Sequence, residues 1–359
     1  MKNTPQTPLH FKCGAVMNNR YMLAPMTNTQ SHEDGTLSNE EFHWLTMRAK
    51  GGFGLTMTCA SHVQANGKGF PGQLGIFSEA QIEGHKKLAS TIKDHDSLAV
   101  VQLHHAGMRS PQELIGEQPV CPSEIKKHNA RALSLKEVYA LRDDFILAAE
   151  RAQRCGYDGV EVHGAHGYIL TQFLSSEINK RADAYGGTLE NRTRLLVEIV
   201  DGIRKTCGPK FLLGVRLSPE RFGMELQEVK IIAQQLIDHH DIDFLDISLW
   251  DVFKQPEGQS TQSKSLLQHV AELNFKHVKW TVAGKINNGK DVHNVLNAGV
   301  DFVSIGRSAI LHHDFPKQVM SNPDFEPIAT PVSEAYLHKE GLSPDFVTYM
   351  KRWDGFVKD

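Results

Sequence analysis

Residues Asp158–Arg194 read DGVEVHGAHGYILTQFLSSEINKRADAYGGTLENRTR, and the stretch opens as a strand. Gly159, Val160 and Val162, with only Glu161 between them, suit a short strand buried on both faces of a parallel sheet. The pattern breaks at His163. Gly-Ala-His-Gly then places two glycines and two imidazoles at a strand end, where the backbone turns tightly and side chains can face a ligand. His163 and His166 can converge there, and Tyr168 follows two residues on. One short loop therefore offers two hydrogen-bond donors and a phenol, a polarising pair beside a proton donor.

Two plainer readings compete. An HxxH pair suits zinc only with a third or fourth ligand, and no such partner is evident in this stretch. The two histidines could equally be capped loop residues. The remainder of the chain decides between these.

With 359 residues, 40% hydrophobic and 23% charged, the chain can bury a large core, and α/β barrels of this size form single units. A net charge of −3, from 39 basic and 42 acidic residues, leaves no global basic field for nucleic acid. Cysteines at 13, 59, 121, 155 and 207 never form a CxxC pair. That spacing argues against an iron–sulfur cluster, structural zinc or disulfide framework. The N-terminus lacks a signal-type apolar core and nowhere do 18 apolar residues run together, so a cytoplasmic protein without a membrane partner is expected.

Outward from the histidine stretch, strand and helix patterns alternate. Strands are expected at Tyr21–Ala24, Phe53–Ala60, Leu98–Leu103, Phe211–Leu217, Phe244–Leu249, Thr281–Gly284 and Asp301–Ile305. Ser38 opens SNEE, a capping box ahead of a helix through Ala49, and Ser134 to Glu137 forms another. Val138, Leu141, Phe145, Ala149 and Ala152 mark one face of the helix that follows. Helical patterns also cover Glu79–Lys93, Leu195–Ile203, Leu226–His240, Leu266–Leu273 and the region of Val292 to Leu296. With the histidine strand included, this makes eight strand–helix pairs. Right-handed crossovers then close a parallel (β/α)₈ barrel over residues 1–320. Residues 321–359 remain as an extension, expected to pack on the barrel or on a neighbouring subunit.

On that fold Thr27, Cys59, Gln102, His163, Arg216, Gly284 and Arg307 fall at or just past strand C-termini, where barrel active sites are built. Each alone has a plain explanation: Thr27 could cap a turn, Gln102 bond backbone and Arg216 pair with a carboxylate. An unpaired buried Arg216 would be costly, which points to an electron-rich ligand. Gly284 and Gly306-Arg307 follow strands seven and eight, where barrels hold a phosphate on backbone amides, and a guanidinium fork would add to the grip. A flat phosphorylated cofactor across the barrel mouth fits these positions.

The motifs APMT at 24–27, GFPGQLGIF at 69–77, VQLHHAG at 101–107, DGVEVHGAHGYILTQFLS at 158–175, GVRLSP at 214–219 and VSIGR at 303–307 resemble those of the old yellow enzyme family of FMN-dependent ene-reductases. The resemblance covers roughly Leu9 to Phe315. It implies FMN as cofactor and NADPH or NADH as reductant. It also implies a small electrophilic alkene as substrate, with no nucleic-acid partner and with homo-oligomers allowed. Ala24, Pro25, Met26 and Thr27 would meet the flavin, Thr27 near its O4 and N5 edge, with Ala60 offering backbone. Gln102 and Arg216 would take the pyrimidine end, and Gly284, Gly306 and Arg307 the phosphate. His163 and His166 would hold the oxygen of the substrate's activating group, and Tyr168 would donate the proton. No metal is implied.

The chain departs from the family at three places. Thr27 stands where many His–His members carry cysteine, and Thr29 where some relatives have tyrosine. SLWDVFKQPEGQ after strand six replaces a short glycine-rich loop. A tRNA-uridine reductase would favour a basic surface and usually a catalytic cysteine. A non-catalytic flavin barrel would not need the His–His–Tyr loop.

Overall fold

The computed structural model describes residues 4–258 and 263–358. Eight parallel strands close a barrel: β1 (Tyr21–Leu23), β2 (Leu55–His62), β3 (Leu98–His104), β4 (Gly159–Gly164), β5 (Leu212–Leu217), β6 (Phe244–Ser248), β7 (Lys279–Ala283) and β8 (Phe302–Ile305). Closure runs through β8 against β1, with Ser304 opposite Met22. Helices α1 (Asn39–Lys50), α2 (Ile82–Lys93), α3 (Leu135–Arg154), α4 (Leu189–Cys207), α5 (Leu226–His239), α6 (Leu266–Val270), α7 (Gly289–Asn297) and α8 (Phe315–Ser321) cover it. Several ends differ from the sequence expectation, among them those of β2, which runs Leu55–His62 rather than Phe53–Ala60. α6 stops at Val270 rather than Leu273. β4 runs through His163, so that residue belongs to the strand and not to the loop.

The helices form for the reasons their sequences state. Ser134 and Glu137 close the reciprocal capping box of α3, and Val138, Leu141, Phe145, Ala149 and Ala152 are all buried. SNEE behaves differently. Ser38 Oγ accepts from Glu41 N at 3.0 Å, but the Glu41 carboxylate turns away into the protein. There it accepts from Asn28 Nδ2 at 2.9 Å and from Ser31 Oγ. A buried pair of donors has outcompeted the local box.

Strand alternation then sorts the barrel. Val160 and Val162 join the large core between barrel and helices. Inward-facing residues begin apolar at the N-terminal end: Leu55, Met57, Val100, Leu212, Phe244 and Phe302 form a second cluster with Leu9, Phe11 and Met17. Those last three flank or belong to the N-terminal hairpin, Leu9–His10 paired with Val16–Met17. Phe11 meets the Phe302 ring at 5.9 Å and that of Phe244 at 6.0 Å, plugging the barrel floor. Gly214 is forced by this packing, since a Cβ there would lie 2.1 Å from Cζ of Phe244. Further along the same strands the interior turns polar: Val100 gives way to Gln102 and His104, Leu212 to Arg216, Phe244 to Asp246 and Phe302 to Ser304.

Residues beyond α8 fold over their own barrel. Phe346 packs on Trp44 with ring centroids 5.4 Å apart, Ser343 N donates to Gln30 Oε1 at 2.9 Å, and Tyr336 OH donates to Leu311 O at 2.8 Å. This places Tyr349, Met350 and Trp353 at the barrel mouth.

Candidate active site

A cavity of about 310 Å³ opens at the C-terminal end of the barrel. Ala24, Pro25, Met26 and Thr27 line one side, Gly284, Gly306 and Arg307 another, and Arg216 is also in its wall. Four expected residues are not in that lining: Ala60, Gln102, His163 and Tyr168. Ala60 turns its carbonyl to Gln73 Nε2 at 2.6 Å. Gln102 donates from Nε2 to Glu161 Oε1 at 2.7 Å, so its amide is held by a carboxylate on the neighbouring strand.

At the β7–β8 end, Gly284 has φ +146°, and a Cβ would come within 2.8 Å of the Trp250–Asp251 backbone. A Cβ on Gly306 would meet only Met26 Sδ, at 3.7 Å. Gly306 also leads into the short helix Arg307–Leu311, whose first turn has no side-chain cap. The Arg307 guanidinium lies 5.9 Å from the Trp353 ring centroid. Ser304 Oγ and Thr281 Oγ1 are buried nearby without a hydrogen-bond partner. Open backbone, a guanidinium and orphaned hydroxyls are what a phosphorylated, hydrogen-bonding planar group would satisfy.

The β3–β4 side holds the imidazoles. His163 and His166 converge, with centroids 5.0 Å apart, and Tyr168 lies 5.4 Å from His163. His104 joins them, 4.3 Å from Tyr168 and 5.5 Å from His163. His163 Nδ1 and both His104 nitrogens are buried and unpaired. His166 sits at φ +63°, its Nε2 2.7 Å from Ser248 Oγ and its backbone N donating to Ser218 Oγ at 3.1 Å. Burial holds all three imidazoles well below their ordinary pKa, hence neutral, and pushes the Tyr168 phenol up, hence protonated. His105 is different: its ring accepts from Gly107 N and meets Asn66 Oδ1, which is the plain capped-loop role. Among the described residues no group of three His, Cys, Asp or Glu is arranged to hold a metal.

Beneath the mouth lies a charged layer. Arg216 Nε is 3.0 Å from Asp246 Oδ2, both side chains at most 5% exposed, so the arginine has its carboxylate. Glu161 joins them, fully buried. Burial first, and then Asp246, raises Glu161 to about 8, while Asp246 is raised by burial against the pull of Arg216. Two acids thus share one guanidinium, and the layer supports one negative charge.

The sequence reading had assigned no role to Glu161, Asp246, His104, Ser248, Trp250, Tyr349 or Trp353. For Glu161 a signal existed: a carboxylate inside a strand buried on both faces must find a partner. For the C-terminal aromatics nothing local pointed to the mouth.

The fold and the site together define a flavin-dependent α/β-barrel oxidoreductase. The chain belongs to the NADH:flavin oxidoreductase / NADH oxidase family, whose model matches residues 6–324, and FMN is the cofactor that family carries. It is 36% identical over 323 residues to a probable NADH-dependent flavin oxidoreductase, YqiG, of Bacillus subtilis, covering 87% of this chain and 86% of that one. With an NADPH dehydrogenase of Bacillus cytotoxicus it shares 33% over 325 residues, 87% and 90% of the two chains. The solved old yellow enzyme homologue of Zymomonas mobilis superposes with a TM-score of 0.80 at 27% identity, over 96% of this chain and 98% of the other. The resemblance to old yellow enzymes is thereby established, as is the (β/α)₈ fold. No helix among the described residues is long and apolar enough to cross a membrane.

Proposed function

We propose that this protein takes hydride from NADH or NADPH and reduces the C=C bond of alkenes conjugated to a carbonyl or nitro group. The observation that carries this reading is the neutral His163–His166–Tyr168 cluster beside the cavity lined by Ala24–Thr27, Arg216, Gly284, Gly306 and Arg307. FMN, when bound, supplies the hydride relay between nicotinamide and alkene. Everything else is the work of the chain. Ala24 to Thr27 and Arg216, which line the cavity, would orient the ring, and Gly284, Gly306 and Arg307 in the same wall would hold the phosphate. Neutral imidazoles donate N–H to the substrate oxygen as charge develops there, favouring the transition state over the ground state. Tyr168, kept protonated by burial, delivers the proton to the α-carbon.

Tyr168→Phe separates the steps. Flavin reduction by NAD(P)H should stay within about threefold, whereas enone reduction should fall by about a hundredfold, the scale of general acid catalysis. Rapid-mixing kinetics that show both half-reactions slowed alike would make Tyr168 structural.

A further inference from the structure

The turn Gly107–Arg109 is fastened to the histidine loop by one side chain. Gln172, fully buried, donates from Nε2 to Ala106 O at 3.2 Å and to Gly167 O at 2.9 Å, while its Oε1 accepts from Met108 N at 3.1 Å. Arg109 is thereby carried to the His–Tyr cluster. Its guanidinium carbon lies 4.6 Å from the Tyr168 ring centroid, and Nη1 donates to His166 O. Its charge acts on His104, His163, His166 and Tyr168, most directly on Tyr168, whose phenol it lowers against burial.

The other cations of the mouth are spoken for. Arg216 has Asp246 at 3.0 Å, Lys285 has Asp251 at 3.0 Å and Arg221 has Glu257 at 3.6 Å, and Arg307 stands at the phosphate end. Among the described residues Arg109 has no carboxylate within ion-pair distance, and its side chain is exposed. Beside it, His163 Nδ1 and both nitrogens of His104 are buried donors or acceptors without partners. A guanidinium placed over an aromatic ring, with one nitrogen on a backbone carbonyl and no carboxylate partner, suits a carboxylate.

We propose that Arg109 is a substrate-binding residue that selects unsaturated carbonyl compounds carrying a carboxylate. This rests on the ene-reductase reading above. The carboxylate bonds the guanidinium while the conjugated carbonyl meets the histidine pair, so the anionic arm lies over Tyr168 and aligns the α-carbon with its hydroxyl.

A matched pair of substrates tests it: one enone skeleton bearing a carboxylate, and its methyl ester. With FMN-loaded protein, the acid-to-ester ratio of kcat/KM should fall about tenfold or more in Arg109→Gln, chiefly through KM, and recover in part in Arg109→Lys. An unchanged ratio overturns the inference, whether both substrates slow together or neither does. If the parent protein reduces no enone at all, it is the ene-reductase reading that fails. The Arg109 assignment is then judged by binding of the saturated acid and ester, read from the flavin absorbance. The parent should hold the acid at least tenfold tighter, a preference lost in Arg109→Gln, and equal affinities in the parent would refute it.

Discussion

Asp243 and Asp246 lie three residues apart, just before and in the middle of β6, each at most 1% exposed, yet their surroundings are opposite. Asp243 is saturated: Oδ1 accepts from Cys13 N at 3.0 Å, and Oδ2 accepts from Leu213 N at 2.9 Å and Arg204 Nη2 at 2.8 Å. It ties the N-terminal segment, β5 and α4 into the floor. Asp246 has one ion-pair contact with Arg216, no aligned hydrogen bond, and a second acid, Glu161, facing it. The floor of the barrel satisfies its buried polar groups; the layer under the mouth leaves them open. Unsatisfied buried groups are costly, so a fold retains them where a ligand completes them. The contrast locates the working end of the molecule without any motif.

The sharpest way to break this contrast is at the floor. Asp243→Ala strands the backbone N–H groups of Cys13 and Leu213 and removes one of several partners of Arg204, which keeps Asp241 and three backbone carbonyls. It should lower unfolding stability by about 2–4 kcal/mol in denaturant titration, the scale for leaving buried donors unsatisfied. A loss below about 1 kcal/mol would show the floor is not held this way.

Acid should reveal the upper half next. His62 and His105 are buried and neutral, lowered by burial to about 4 and about 3. In the unfolded chain they bind protons below about 6.5, so between pH 6.5 and the folded values the unfolded state carries more protons. Stability should therefore fall as pH drops through that window, as seen in thermal melts. His62→Gln should flatten the slope, and an unaltered slope would place the acid sensitivity elsewhere.

Smaller effects are expected in the open layer, because its two acids share one charge. In Asp246→Asn, Glu161 can ionise in place of Asp246 and keep Arg216 paired, so the stability loss should stay within about 1 kcal/mol. The double variant with Glu161→Gln leaves the guanidinium buried alone and should cost about 3 kcal/mol or more. Additive single effects would mean the two carboxyls are independent. Smallest of all, Ser248→Ala removes the partner of His166 Nε2. A few-fold drop in kcat for enone reduction, with flavin content retained, is the expected result; a hundredfold drop would make Ser248 part of the chemistry itself.

Much of the barrel is local in origin and was legible. Short apolar runs, the Ser134–Glu137 box and the stripe from Val138 to Ala152 each depend on neighbours within a few residues, so the sequence states them directly. The strand-end rule likewise brought His163, His166, Tyr168, Arg216 and Arg307 to one face. Even a local signal yields where a buried partner competes, as Glu41 shows by leaving its box for Asn28 and Ser31.

By itself, then, the sequence determined the eight alternations, the family and the face on which chemistry is built, because periodicity and turn residues act over short spans. Only the tertiary structure decided which buried charge meets which. Gln102 with Glu161, Arg216 with Asp246, and His104 beside Tyr168 join residues 30 to 64 positions apart, through a strand register that no single segment encodes. The reach of Trp353 to Arg307 and the fastening of Arg109 by Gln172 are of the same kind. Each partner lies on another element, and its place depends on how the whole barrel closes.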